Sequence, residues 1–325
     1  MRTLLLAASA ALALALPLAA QETAKPAALA PSEIIAAAPK ADWVAIPAED
    51  LLVMTLAPDA EGKPRQVVIQ LMPALFSQGW VHNIRLFARA KWYDDISVNR
   101  VQDNYVTQWG DPNYDNPEAT GTPKPLPEGL KVMREAEYSA PTSLITIHEQ
   151  PAQTVSATHR PRGDAYAEFT GFVRGWPVAR DHERDWPTHC YGMVGVGRNY
   201  SPDTGSGAEL YTVIGHAPRH LDRNIALVGR VIEGMQHLSS LPRGSGDLGF
   251  YTAEEAGKRT PILSVRVASD LPAAEQPAFE YLSTESDTFA TYAEAIAHRR
   301  DPFFITPAGG ADICNVRVPV RRVTD

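Results

Sequence analysis

The chain has 325 residues with 38 acidic against 30 basic side chains, a formal charge of −8, and 44% hydrophobic residues. That acidic balance excludes nucleic acid and anionic lipid surfaces as principal partners, because both are bound through clustered Lys and Arg. Beyond the first twenty residues no stretch reaches the roughly 18 consecutive apolar residues that a spanning helix needs, so no membrane insertion is expected.

In chain order, Arg2, an apolar run over 4–16, Pro17 and Leu18-Ala19-Ala20 ahead of Gln21 read as a secretory signal peptide over residues 1–20. The leader is short, rich in alanine and has no cysteine near the cleavage point, which is the bacterial style and predicts a periplasmic protein, with secretion as the alternative. Residues 21–42 are rich in Ala, Pro and Lys without apolar periodicity and predict a flexible tether. A strand follows over 66–72. A helix then carries Trp80, Ile84, Phe87 and Ala88 on one face through to Lys91. Two short apolar runs joined by a turn come next, one carrying Arg100 and the other Gln108, and they are expected to pair as antiparallel strands.

From 112 to about 186 a polar segment is broken by Pro117, Pro123, Pro125, Pro127, Pro141, Pro151 and Pro161, and reads as an insertion. Strands are still possible there over 143–148 and 165–173. A further strand is expected over 262–267. Residues 272–325 form an extension with helices around 273–281 and 288–299 and an apolar run over 314–320. Cys190 and Cys314 are the chain's two cysteines; in an oxidising compartment one structural disulfide is favoured over two buried thiols.

Three stretches carry the most information: Ile96-Ser-Val-Asn-Arg-Val-Gln-Asp-Asn-Tyr-Val-Thr-Gln-Trp-Gly-Asp111, then Gly205-Ser-Gly-Ala-Glu-Leu-Tyr-Thr-Val-Ile214, then His220-Leu-Asp-Arg-Asn-Ile-Ala-Leu-Val-Gly-Arg-Val-Ile-Glu-Gly-Met235. Together they resemble the core motifs of the cyclophilin family of peptidyl-prolyl isomerases, and the spacing from Arg100 to Gln108 and on to Gly110-Asp111 is kept without a gap. The resemblance implies a mainly β fold: a closed eight-stranded antiparallel barrel capped by helices over 43–271. The insertion enlarges it, with 165–173 supplying part of the barrel, and a small α/β extension over 272–325 packs on it. It implies Arg100 and Gln108 as catalytic residues, Tyr105, Val106, Tyr211 and Leu221 as the wall of a proline pocket, and Gly197 along the peptide groove. The partners it implies are proline-containing segments of unfolded or folding exported proteins, with no cofactor and no metal. Val98-Asn99 stand where the family usually has Phe-His, Tyr105-Val106 where it has Phe-Met, Trp109 for the first glycine after the glutamine, and Glu209 for glutamine. His220 falls where some members carry tryptophan and Ile225 where some carry a groove histidine. These departures leave an alternative: a non-catalytic chaperone or scaffold that binds proline-containing peptides in the same groove.

The chemistry is consistent with the residue types. Rotation about an Xaa-Pro bond meets a barrier of roughly 18 to 20 kcal/mol because resonance stiffens the C–N bond. A donor aimed at the proline nitrogen favours the twisted state over either planar one, and a guanidinium offers several donors in a fixed plane at every working pH. Other motifs carry less. Gly244-Ser-Gly-Asp-Leu-Gly249 matches a dinucleotide fingerprint but lacks a preceding strand, and predicts a glycine-rich turn. Asp111 to Asp115 begins like a calcium loop that later positions do not complete. His216 and His220 flank Pro218, which breaks the helix a metal pair would need. No Gly-x-Ser-x-Gly elbow is present.

Overall fold

A computed structural model describes residues 28–114, 116–144, 148–149 and 164–323. The expected leader lies outside them. Strands β1 (Leu51–Leu56) and β2 (Arg65–Leu71) are apolar on both faces because each face has a core to bury. Leu52, Met54, Leu56, Val67 and Ile69 enter the main core, whereas Leu51, Val53 and Val68 join Ile46, Ala268 and Phe279 in a second cluster on the opposite side of the same strands. The remaining barrel strands are β3 (Ile96–Val101), β4 (Val106–Gly110), β5 (Met193–Val196), β6 (Leu210–Val213), β7 (Leu227–Glu233) and β8 (Pro261–Val267). They close in the order β5-β6-β4-β3-β8-β1-β2-β7, with β7 returning to β5 and every pairing antiparallel. Closure leaves the barrel no free edge. The fold is therefore the mainly β, eight-stranded closed barrel that the sequence motifs imply.

Helix α1 (Pro31–Ala36) precedes the barrel, and α2 (Gln78–Arg89) packs against β7 and β8. The buried face of α2 is Trp80, Ile84, Phe87 and Ala88, the expected stripe. A short helix α3 (Gln236–Ser239) follows β7, and α4 (Asp287–Ala297) lies in the C-terminal extension, its N-terminus capped by the Ser286 hydroxyl accepting from the Phe289 amide.

The expectations fail in four places. Residues 31–42, expected as tether, contain α1 and a 3₁₀ turn at Lys40–Asp42; Ile34 packs with Phe289 and Tyr292 of α4, so a proline-initiated, alanine-rich helix is mistaken for a linker when its partner lies about 250 residues away. Phe169–Val173 does not enter the barrel. Arg174 and Gly175, both at positive φ, turn the chain straight back, pairing Val173 with Trp176 in a separate five-stranded sheet. Its order is Ala140–Pro141, Arg184–Pro187, Trp176–Arg180, Phe169–Val173, His148–Glu149. Of the strand suggested over 143–148, residues 145–147 lie outside the described ones, and Thr142–Leu144 form a 3₁₀ turn. The helix expected around 273–281 is a single 3₁₀ turn, Ala273–Glu275, stopped ahead of Pro277 and followed by the strand Phe279–Leu282. That strand sits between Trp43–Ile46 and Val320–Arg322, a three-stranded sheet that covers the outer face of β1 and β2. Cys190 and Cys314 form a disulfide that ties the entry to β5 to the extension.

Candidate active site

The strand register aims the site. β3 pairs with β4 as Val98 with Trp109 and then Arg100 with Gln108, so Asn99 is an extra residue in β3. Its side-chain amide donates to the Gly110 carbonyl at 3.0 Å. This bulge resets the alternation: Val98 and Val101 both enter the barrel core, and Arg100 is released to the outside, where an unbroken period of two would have turned it inward.

Outside the barrel, the Arg100 guanidinium is held by neutral acceptors on three sides. Nε donates to the Leu248 carbonyl at 2.7 Å, Nη1 to Gln108 Oε1 at 3.0 Å, and Nη2 to Gln102 Oε1. The rings of Phe250 and Tyr105 lie 5.4 and 5.7 Å from its centre. Burial pulls its pKa down from the ordinary arginine value, opposed by Tyr105 and Tyr211, and an arginine so placed remains a cation. Gln108 Nε2 points the other way, donating to Glu209 Oε2 at 3.4 Å, which fixes the amide with its oxygen towards Arg100. The glycine-rich string 244–249 is thus a tight turn, as expected, and it supplies the Arg100 anchor through Leu248, whose φ is +55°.

Beside Arg100 lies a small apolar cluster distinct from the barrel core: Val106, Tyr211 and Val213 are buried, with Tyr105 and Ile225 packed on them. Five of the expected residues, Arg100, Gln108, Tyr105, Val106 and Tyr211, meet here. His220 stacks on Tyr105 with 6.3 Å between ring centres. Leu221 is half-buried in the 3₁₀ turn Arg219–Leu221 and is not part of the cluster. Gly197 donates its amide to the Glu209 carbonyl, and a Cβ there would come within 2.8 Å of the Glu209 Cβ and 3.5 Å of Gln108 Nε2. Gly195 is as tightly constrained, since a Cβ would sit 2.3 Å from the Tyr211 hydroxyl.

Beneath Tyr211 runs a buried polar chain. The Tyr211 hydroxyl is 2.9 Å from His189 Nε2, and His189 Nδ1 is 2.9 Å from Asp222 Oδ1, which also accepts from the His189 amide. Asp222 Oδ2 accepts from Arg219 Nε at 2.6 Å and from Trp186 Nε1 at 3.3 Å, and Arg219 continues to Asp164 at 2.8 and 3.2 Å. Burial pushes the Asp222 carboxyl up, but the hydrogen bond from His189 and the charges of Arg219 and His189 outweigh it and hold the pKa below the usual range. Burial also drives the Tyr211 phenol well above its ordinary value. With Asp222 ionised, Nδ1 of His189 carries a proton and donates to it. Nε2 is left facing the neutral Tyr211 hydroxyl.

The family model described as cyclophilin type peptidyl-prolyl cis-trans isomerase/CLD matches residues 63–267, well over half of the chain. The chain belongs to the cyclophilin family. Among solved structures, this cyclophilin is similar to the cyclophilin AquaCyp293 from Hirschia baltica, at 18% identity and a TM-score of 0.61, over 86% of this chain and 93% of that one. It is more remotely similar to a cyclophilin type peptidyl-prolyl cis-trans isomerase from Cryptosporidium parvum solved in the presence of the dipeptide Ala-Pro, at 9% identity and a TM-score of 0.35, over 66% and 97% of the two chains. Comparison with curated proteins gives no match. In this cyclophilin the sequence reading did not find Gln102, Leu248, Phe250, His189 or the ion pairs behind it. The backbone contact of Leu248 leaves no mark in a side-chain pattern. The tyrosine at 211 was the available signal for His189, because a buried hydroxyl needs a partner.

Proposed function

We propose that the protein is a peptidyl-prolyl cis-trans isomerase that accelerates Xaa-Pro rotation in exported proteins as they fold. The observation that carries this reading is the Arg100 guanidinium, fixed by Leu248, Gln108 and Gln102 with no carboxylate among those partners, beside the apolar cluster of Val106, Tyr211 and Tyr105. The proline ring sits on the cluster, and a guanidinium N–H meets the amide nitrogen as it becomes pyramidal. Because the guanidinium is already oriented and partly desolvated, little reorganisation is needed as the bond twists. Gln108 holds both the arginine and a peptide carbonyl. Arg100 and Gln108 are the catalytic residues, and Tyr105, Val106, Tyr211 and Gly197 bind the peptide, with Leu221 at the groove's edge.

The leader-like residues 1–20 support a periplasmic location. Uncatalysed isomerisation takes tens to hundreds of seconds, slow enough to hold back folding of newly exported chains. NMR exchange spectroscopy on an Ala-Pro peptide tests the reading with wild type, Arg100→Ala and no protein. Wild type should accelerate interconversion, and Arg100→Ala should lower kcat/KM by roughly 10²- to 10³-fold, the usual cost of a preorganised donor. Peptide binding without acceleration across several Xaa-Pro sequences would replace the isomerase with the non-catalytic binder.

A further inference from the structure

The groove has a second cation that bond rotation does not use. Gly197, whose amide donates to the Glu209 carbonyl, is followed by Arg198, and backbone carbonyls hold the Arg198 guanidinium. Nε and Nη2 donate to Asn224 at 3.0 and 2.9 Å, and Nη1 donates to Asn199 at 2.6 Å. Asn224 adjoins Ile225, which packs on the apolar cluster, so these bonds bring the charge to the edge of the proline pocket. Tyr211 in the pocket wall feels both cations: the charges of Arg100 and Arg198 oppose the rise that burial imposes on its phenol.

This charge is available to a ligand. A guanidinium has five N–H donors, and the carbonyls take three of them, leaving one on each terminal nitrogen. The side chain is only half-buried, and its three bonds lie at the exposed surface. All its acceptors are neutral, whereas neighbouring arginines are paired with carboxylates: Arg219 with Asp164 and Asp222, Arg223 with Asp181, and Arg243 with Asp103. The acidic groups nearest to Arg198 in sequence are committed elsewhere. Asp203 accepts from the amides of Asn199 and Gly205, and Glu209 is buried behind Gln108.

We propose, on the reading of the groove as the isomerase site, that Arg198 is a specificity-determining residue. It favours substrates with a carboxylate side chain two residues from the proline, on the side of the peptide that lies along Gly197. A half-exposed pair of this kind gives a preference of about two- to fivefold, and salt screens it. Exchange spectroscopy on the capped peptides Glu-Ala-Pro-Ala and Ala-Pro-Ala-Glu, each beside its Gln counterpart, reads that preference and its position. For one of the two pairs, kcat/KM of wild type should be about two to five times higher for Glu than for Gln at about 10 mM ionic strength, and equal at about 1 M. Arg198→Gln should bring that pair level, and Arg198→Glu should reverse its order. Should neither variant fold, the salt dependence of wild type decides. Acceleration of all four peptides without preference for Glu, a preference that persists at high salt, or one that survives Arg198→Gln would overturn the proposal and leave the isomerase intact. If no peptide is accelerated, the isomerase reading fails separately, and titration of the same pairs decides the preference from their dissociation constants; equal or absent binding then overturns it.

Discussion

Removing the Asp222 carboxylate should be among the most damaging single changes outside the barrel core. The side chain is 4% exposed and accepts four hydrogen bonds: from the His189 amide and Nδ1 at 2.9 Å each, from Arg219 Nε at 2.6 Å and from Trp186 Nε1 at 3.3 Å. Asp222→Ala leaves those donors buried, but Arg219 keeps Asp164, so the loss is that of one broken ion pair and not of two. Such a loss is about 3 to 5 kcal/mol. Asp222→Asn keeps an oxygen for His189 while turning an NH2 towards Arg219 and Trp186, and should forfeit most of the same energy. Urea unfolding followed by tryptophan fluorescence measures it as a fall in midpoint at constant slope. The pH dependence has a definite sign: because the folded pKa is lowered below the carboxylate value of 3.8, Asp222 stabilises fully above that pH and its contribution drains away as pH falls through the folded value. Asp222→Asn should therefore flatten the acid side of the stability curve. A cost below about 1 kcal/mol for Asp222→Asn, with an unchanged acid limb, would refute the network.

Three further outcomes follow from the same geometry. Tyr211→Phe removes the hydroxyl and keeps the ring; it should leave isomerisation of the Ala-Pro peptide within severalfold of wild type while lowering stability by about 1 to 3 kcal/mol, because His189 loses its buried partner. Gly195→Ala drives a methyl into the Tyr211 hydroxyl and ring, so the ring must leave its hydrogen bond to His189; the change should both raise KM for the peptide and lower the urea midpoint, which a titration of peptide binding and an unfolding curve read separately. Replacing both Cys190 and Cys314 with serine opens a loop of 124 residues and should cost up to roughly 5 kcal/mol by loop entropy, seen as a lower urea midpoint that reductant reproduces in wild type and not in the variant.

The barrel was legible because its evidence is local and repeated: alternating strands, a helix stripe at Trp80, Ile84 and Phe87, and the Arg100 to Gln108 spacing that the hairpin register preserves. Two of the failures share one cause. α1 exists because α4 covers Ile34, and Phe169–Val173 left the barrel because a two-residue turn gave it a nearer partner. Neither fact lies within the segment concerned. The site shows the same division. The side chains that face the groove follow from motif positions, whereas the anchor on the Leu248 carbonyl and the His189–Asp222–Arg219–Asp164 chain bring together residues up to 148 positions apart.

The three-stranded sheet has a temporal meaning as well as an architectural one. Leu51, Val53 and Val68 are made early, yet Phe279, which shares their cluster, arrives more than 200 residues later, and its strand is paired on its outer side only when Val320–Arg322 is complete. A chain synthesised from its N-terminus thus carries one apolar sheet face uncovered for most of its production. During that interval the unfinished barrel presents an apolar face to its surroundings, open to the misassembly that long-range strand pairing invites.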